Sequence, residues 1–249
     1  MPSNQISSHQ SFAPPLLSVA GLTKTYGGGE GLAIDRVTFS AGAGEVLGVV
    51  GPNGAGKTTL LEAIAGLVPV ESGQIFWHDE PLLVGDRRRA IFYLPDGVRP
   101  YRDQSTSQVL SFVAAVYRRC DADVAKGIAE LGLEPVLRKR VHALSKGYAR
   151  RLMLALGLLV PHELLLMDEP FDGFDLRQTR DIVRILRDQA ARGRTFILAI
   201  HQLAEAERVC DRFVLLSQGQ MRGTGTLPEL RAETALPTGS VEDVFLALT

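Results

Sequence analysis

Cysteine is scarce in this sequence, and long apolar runs are missing. The two cysteines, Cys120 and Cys210, lie far apart and form neither a C-x-x-C pair nor a metal-ligand spacing. We therefore expect two reduced thiols rather than a disulfide framework. The longest apolar run, Leu152–Val160, stops at Pro161, well short of the ~20 residues that a membrane-spanning helix needs. The chain itself is not expected to cross a bilayer, so any spans it works with would belong to another polypeptide.

An excess of charge of either sign is also missing. Lys and Arg together number 27 and Asp and Glu 28, which gives a net charge of −1. This balance offers no electrostatic reason to propose nucleic acid or an anionic membrane surface as the main partner. The polar start, rich in Ser and Gln, lacks the basic and apolar regions of a secretory signal. We predict a disordered tail over residues 1–14 and a folded domain over residues 15–249.

Strand-like and helix-like segments alternate along the chain, which predicts an α/β domain with a largely parallel sheet after a β-rich start. The predicted strands are Leu16–Ala20, Ala33–Ser40, Val46–Val50, Gln74–Trp77, Ala90–Leu94, Leu164–Met167, Thr195–Ile200, Phe213–Ser217 and Met221–Thr224. The predicted helices are Lys57–Gly66, Tyr148–Val160, Leu176–Arg192, Leu203–Cys210 and a last one after Ser240.

One stretch departs from the alternation. Ser105 and Gln108 form a capping-box pattern, and apolar residues follow at helical spacing from Val109 to Val116. We predict an inserted helical subdomain over about residues 97–155. The basic run Arg87–Arg89 is interpreted as the solvated face of a loop.

The strongest motif is a glycine-rich loop between a buried strand and a helix. Such a loop curls its backbone so that N–H groups point at phosphate oxygens, and the helix N-terminus favours the anion. Lys57 is predicted to neutralise the β- and γ-phosphates, and the Thr58 hydroxyl to bind Mg²⁺. The segment matches G-x-x-x-x-G-K-[ST] with Gly51, Pro52, Asn53, Gly54, Ala55, Gly56, Lys57 and Thr58, followed by Thr59.

Two carboxylates follow a second apolar strand. Leu164–Met167 runs into Asp168 and Glu169, and strand carboxyl ends face the ligand crevice in a parallel sheet. Asp168 is predicted to hold Mg²⁺ directly or through water, and Glu169 to polarise the attacking water as general base. Adjacent strand residues point to opposite faces, but the chain is already turning here, so both can approach the site.

A second anion-binding helix start lies between these motifs, at Ser145, Lys146, Gly147 and Tyr148. On its own this pattern is more typical of a helix cap without a ligand. The order of phosphate loop, L-S-x-G helix start and apolar-Asp-Glu strand, however, resembles the ATP-binding cassette (ABC) family from about Leu16 onward. The resemblance implies a P-loop NTPase cassette with an antiparallel β subdomain, a parallel-sheet core and an inserted α-helical subdomain.

The same resemblance assigns further roles. Tyr26 resembles the aromatic residue that stacks on adenine, and His201 the switch histidine that contacts the γ-phosphate. Residues 172–175 resemble the loop that communicates with the other subunit. Two cassettes of this family face each other head to tail, so the segment Ser145–Tyr148 would bind the ATP of its partner. ATP and Mg²⁺ are the implied cofactors.

Two departures from the family pattern are informative. Lys146 and Tyr148 replace a Gly and the Gln of the commoner L-S-G-G-Q, and L-S-K-G resembles the branch that energises drug, lipid and polysaccharide exporters. The C-terminal extension, about residues 226–249, also resembles that branch. Asp96 stands where the family usually has Gln. Asp can bind Mg²⁺ but adds negative charge, so we expect stronger Mg²⁺ dependence or slower turnover.

These features predict an exporter ATPase subunit that works with a second ABC ATPase subunit, as a homo- or heterodimer, and with a separate transmembrane permease. It would lie in the cytoplasm, peripheral on the inner face of the cell membrane, without nucleic acid. Two alternatives stay open. One is a soluble ABC-class ATPase acting on nucleic acid or ribosomes, and the other is a nucleotide-gated regulatory module with little hydrolysis.

Overall fold

The computed structural model describes residues 14–27 and 32–249. The tail predicted over residues 1–14 therefore lies outside the described residues, apart from Pro14. Within the described part, no helix is long and apolar enough to span a membrane.

The described strands form one mixed sheet in the order β5-β4-β1-β2-β10-β9-β3-β8-β7-β6. Strands β6, β7, β8, β3 and β9 run parallel to one another. Strand β10 pairs antiparallel with β9 and parallel with β2, and the pairings among β1, β2, β4 and β5 are antiparallel. This confirms the predicted α/β fold. The strands are β1 Leu17–Thr25, β2 Leu32–Ala41, β3 Val46–Val50, β4 Ser72–Trp77, β5 Glu80–Pro81, β6 Ile91–Leu94, β7 Leu164–Asp168, β8 Thr195–Ile200, β9 Arg212–Ser217 and β10 Gln220–Gly225.

Helices cover both faces of the parallel strands, which explains why those strands read as continuous apolar runs. Alternate side chains of β7 enter different cores: Leu164 and Leu166 pack with α1, and Leu165 and Met167 with the helices of the other face. The helices are α1 Lys57–Ala65, α2 Val84–Ala90, α3 Thr106–Val116, α4 Asp121–Leu131, α5 Lys146–Leu159, α6 Leu176–Ala190, α7 Leu203–Val209, α8 Leu227–Thr234 and α9 Val241–Leu248.

Helix α3 begins with the predicted capping box, in which Ser105 and Gln108 bond reciprocally. Its apolar residues are not all internal, however. Val109 is buried, whereas Phe112 and Val116 are exposed by 63% and 58%. Part of the apolar face that the spacing predicted therefore lies on the surface.

The interpretation of Arg87–Arg89 as a solvated loop face is wrong for Arg87. The run lies in helix α2, and the Arg87 side chain is buried with its guanidinium donating to the Ala63 carbonyl oxygen at 2.6 Å. That carbonyl belongs to the last turn of α1, where it also accepts a hydrogen bond from the Gly66 N–H at 3.2 Å, so Arg87 is a second donor at the helix end. A run of like charges does not reveal that one of its members caps a distant helix.

Candidate functional site

The phosphate loop connects β3 to α1 and requires glycine at two positions. A Cβ on Gly51 would lie 2.1 Å from the Leu216 carbonyl oxygen, and one on Gly56 would lie 2.3 Å from that of Ala33. Gly56 also has φ of 100°, which side-chain-bearing residues rarely adopt. The backbone is thus packed closely from behind, which holds the loop in its curled form at the start of α1.

Lys57 is buried and held by its own loop. Its Nζ donates to the carbonyl oxygens of Gly51 at 2.9 Å and Pro52 at 3.1 Å, and lies 3.8 Å from Glu169 Oε1. Burial lowers the pKa of Lys57 from its ordinary value, and the charges of Glu169 and Asp168 oppose that shift. The ammonium group is therefore oriented in advance beside both carboxylates.

Asp168, at the end of β7, lies against the start of α1. The Thr58 hydroxyl donates to Asp168 Oδ2 at 2.7 Å. The other oxygen, Asp168 Oδ1, is buried and has no hydrogen-bond partner within the described part of the chain. Burial raises the pKa of this carboxyl above its usual range. A buried carboxylate oxygen left without a partner next to a hydroxyl is a donor set that suits Mg²⁺.

Glu169 turns toward the same cleft because its backbone is left-handed, with φ of 49°. Its N–H donates to the Ala199 carbonyl oxygen at 3.0 Å, which anchors this uncommon conformation to β8. Its Oε2 lies 2.6 Å from His201 Nδ1. The turn at the strand end therefore brings two consecutive carboxylates to one place and joins the second of them to the histidine that follows β8.

A cleft of about 500 Å³ opens over these groups. Tyr26, 41% exposed, lies at its edge, with Lys24 Nζ 5.3 Å from the ring centroid. His201 contacts Glu169 but does not itself line the cleft. Of the loop residues that do not line it, Gly51 and Ala55 are buried and Pro52 is exposed. The predicted site residues that line the cleft are Tyr26, Asn53, Gly54, Gly56, Lys57, Thr58, Thr59, Asp96, Asp168 and Glu169.

Asp96 also lines the cleft, but its carboxylate already has a partner. Its Oδ1 lies 2.5 Å from a terminal guanidinium nitrogen of Arg150, in the second turn of α5. Sequence reasoning missed Arg150. The available signal was charge complementarity, since an unusual carboxylate and an arginine lie in two segments that both border the predicted phosphate site.

The residues Ser145–Tyr148 do not join this cleft. Ser145 caps α5 by accepting a hydrogen bond from the Tyr148 N–H at 3.4 Å. Lys146 Nζ lies 2.8 Å from Asp172 Oδ2, and this contact lowers the pKa of Asp172. Among the described residues, none of the four signature residues lines the cleft beside the phosphate loop of the same chain.

Comparison with known proteins gives concordant results. A profile of the ABC transporter family matches residues 34–172. The chain is 34% identical over 221 residues to a fluoroquinolones export ATP-binding protein of Mycobacterium tuberculosis (strain CDC 1551 / Oshkosh), covering 87% of this chain and 72% of that one. It is 35% identical over 225 residues to the Nod factor export ATP-binding protein I of Ralstonia nicotianae (strain ATCC BAA-1114 / GMI1000), covering 87% and 68%. A solved ATP-binding subunit of an ABC transporter superposes with a TM-score of 0.84 at 30% identity, covering 94% and 99%.

Proposed function

The chain belongs to the ABC transporter family as an ATP-binding subunit that hydrolyses ATP to drive transport, and from this premise we propose that it powers an exporter. Subunits of this family dimerise and work with transmembrane permeases. The export functions named for the Mycobacterium and Ralstonia relatives support the outward direction. In this proposal the permease is a separate chain, and this subunit lies on the inner face of the cell membrane without nucleic acid.

The observation that carries the hydrolytic role is the convergence of five side chains at one end of the cleft: Lys57, Thr58, Asp168, Glu169 and His201. Lys57 and the amides of the phosphate loop bind the β- and γ-phosphates. Thr58 and the unpaired oxygen of Asp168 would hold Mg²⁺. When bound, the metal neutralises charge that develops on the phosphoryl oxygens.

Glu169 is the proposed general base. Its Oε1 faces Lys57 at 3.8 Å and its Oε2 contacts His201 at 2.6 Å, so the carboxylate is held from both sides. A base held in this way can accept a proton from a water placed against the γ-phosphate without first reorganising. His201 then orients Glu169 and contacts the γ-phosphate, while Tyr26 stacks on the adenine.

The segment Ser145–Tyr148 is assigned to the ATP of a second subunit. Its separation from the cleft of its own chain supports this assignment, because none of its four residues is then available to the nucleotide bound in that cleft. The exposed Phe112 and Val116 of α3 support a permease contact in the helical region, since neighbouring large apolar side chains on a protein surface often mark a site of protein–protein contact.

The test is Glu169→Gln in the purified subunit supplied with Mg²⁺ and ATP. We expect steady-state ATP hydrolysis to fall by at least ~100-fold because the proton acceptor is lost, while ATP stays bound. Glu163→Gln is the matched control, since Glu163 precedes the opposite end of β7 and is 64% exposed. Turnover that survives in Glu169→Gln would refute the assigned base, and wild-type protein that neither binds nor cleaves ATP would refute the hydrolytic role.

A further inference from the structure

The Asp96–Arg150 pair joins two segments that border the phosphate cleft. Asp96 follows β6, and Arg150 lies in α5, five residues after the capping Ser145. The contact is short, 2.5 Å between Asp96 Oδ1 and the guanidinium nitrogen. Within residues 14–27 and 32–249, Asp96 is the one carboxylate at ion-pair distance from Arg150.

The two partners differ in burial. The Arg150 side chain is 8% exposed and that of Asp96 is 47% exposed. A buried guanidinium without a counter-charge is strongly unfavourable, whereas a half-exposed carboxylate is still solvated. If the pair served stability alone, Arg150 would be the member that needs its partner, and losing either side chain would weaken the fold.

The position of Asp96 adds an electrostatic problem that Arg150 solves. Asp96 shares the cleft with Asp168 and Glu169, and its negative charge is one of the causes that raise the pKa of Asp168. A triphosphate entering the same cleft brings several more negative charges. With Arg150 in place, a net-neutral ion pair stands where the family pattern has a neutral glutamine.

The loop that follows β6 leaves a gap between itself and α5. A small cavity of about 60 Å³ separates Asp96, Gly97 and Val98 from Ala149 and Met153 of the helix. Lys146, one turn before Arg150, makes the second ion pair of this helix face, to Asp172 after β7. Two salt bridges therefore tie α5 to the loops that follow β6 and β7, both beside the nucleotide cleft.

We propose that Arg150 is a positioning residue for nucleotide binding: it holds Asp96 at the cleft edge and cancels the charge that would repel ATP. This inference rests on the proposed ATP-binding role of the cleft. It requires opposite effects from the two partners. Removing Arg150 leaves a free negative charge beside the phosphates, and removing the charge of Asp96 leaves a free positive one.

The test measures the Kd for a fluorescent ATP analogue in EDTA and again with Mg²⁺. In EDTA, Arg150→Met weakens binding by about five- to tenfold, and Asp96→Asn tightens it by about threefold or more. The double variant Asp96→Asn/Arg150→Met binds within about twofold of the wild type. The loss in Arg150→Met is smaller with Mg²⁺, because the freed carboxylate attracts the cation that it shares with ATP.

Arg184→Met, which removes an exposed arginine of α6, controls for the change in net charge and leaves the Kd unchanged. Thermal unfolding of every variant separates folding from charge. Arg150→Gln replaces Arg150→Met if the latter unfolds, because glutamine keeps a hydrogen-bond donor and removes the positive charge. A purely structural pair would weaken binding in both single variants, which would overturn the proposal. So would a double variant no better than Arg150→Met. Wild-type protein that does not bind the analogue would instead refute the ATP-binding role itself.

Discussion

The two helices that start at anion-binding motifs, α1 and α5, differ in how much of their site this one chain completes. At α1, the loop glycines, Lys57 and Thr58 meet Asp168 and Glu169 in a single cleft. At α5, Ser145 caps its own helix and Lys146 is paired with Asp172. Under the proposed function, the chain therefore carries one complete half-site and one half-site that acts with the phosphate loop of another subunit.

The difference between the half-sites at α1 and α5 is tested most directly by inactivating each of them in a separate chain. Lys57→Ala removes the phosphate-loop cation. Gly147→Asp places a negative charge at the start of α5, where an acidic residue also favours the helix. Each variant alone is expected to lose ATP hydrolysis by ~100-fold or more.

Mixing the two variants tests whether the halves act across a dimer of identical chains. About half of the random dimers then contain one chain of each variant, and one of the two sites in such a dimer has both halves intact. About a quarter of all sites is therefore intact, so about a quarter of the wild-type ATPase rate returns. Mixtures of each variant with itself supply the control. If the mixture stays inactive while the Gly147→Asp protein still binds ATP, this chain does not complete its site with a second copy of itself.

A middle-sized effect is expected at Arg87, which fixes the far end of α1. Arg87→Met removes the charged hydrogen bond to the Ala63 carbonyl oxygen, which keeps only the Gly66 N–H as a donor, and it removes the buried guanidinium. We expect the free energy of unfolding to fall by about 1–3 kcal/mol in urea titrations. The exposed neighbour Arg88 is the control, and Arg88→Met should change it by less than about 0.5 kcal/mol. An equal fall in the free energy of unfolding for Arg87→Met and Arg88→Met would show that the buried contact of Arg87 does not stabilise the fold.

The smallest effect is expected at Asp168 in nucleotide-free, metal-free protein. Because burial raises its pKa, the folded chain binds this proton more tightly than the unfolded chain. Its contribution to stability therefore falls as pH rises from the ordinary value of ~4 through the raised pKa. Asp168→Asn removes the buried charge, so at pH 7 we expect a gain on the order of 1 kcal/mol.

Thermal unfolding at pH 7 and at pH 5 measures this gain, which should shrink at the lower pH. Added Mg²⁺ and ATP should stabilise the wild type more than Asp168→Asn, since the variant lacks a charged metal ligand. A variant less stable than the wild type without nucleotide would show that the carboxylate helps to hold the empty cleft together.

The sequence predicted most of the architecture and the nucleotide side of the site from local patterns. Apolar runs marked β3, β7 and β8, and the glycine spacing marked the loop before α1. Such patterns are strong because backbone geometry and burial act on neighbouring residues. It missed helices α2 and α8, and the helical spacing in α3 did not distinguish the buried Val109 from the exposed Phe112 and Val116.

The local sequence was enough to identify the chemical groups of the site. These are a phosphate loop, a pair of carboxylates after one apolar strand, and a histidine after the next apolar strand. The tertiary structure decided which of them act together. The left-handed backbone of Glu169 places its carboxylate against His201. Asp96 pairs with Arg150, 54 residues further along the chain, and the buried Arg87 donates to the last turn of α1. These contacts depend on groups distant along the chain, and ion pairing and burial arise only once the packed sheet and helices bring them within reach of each other.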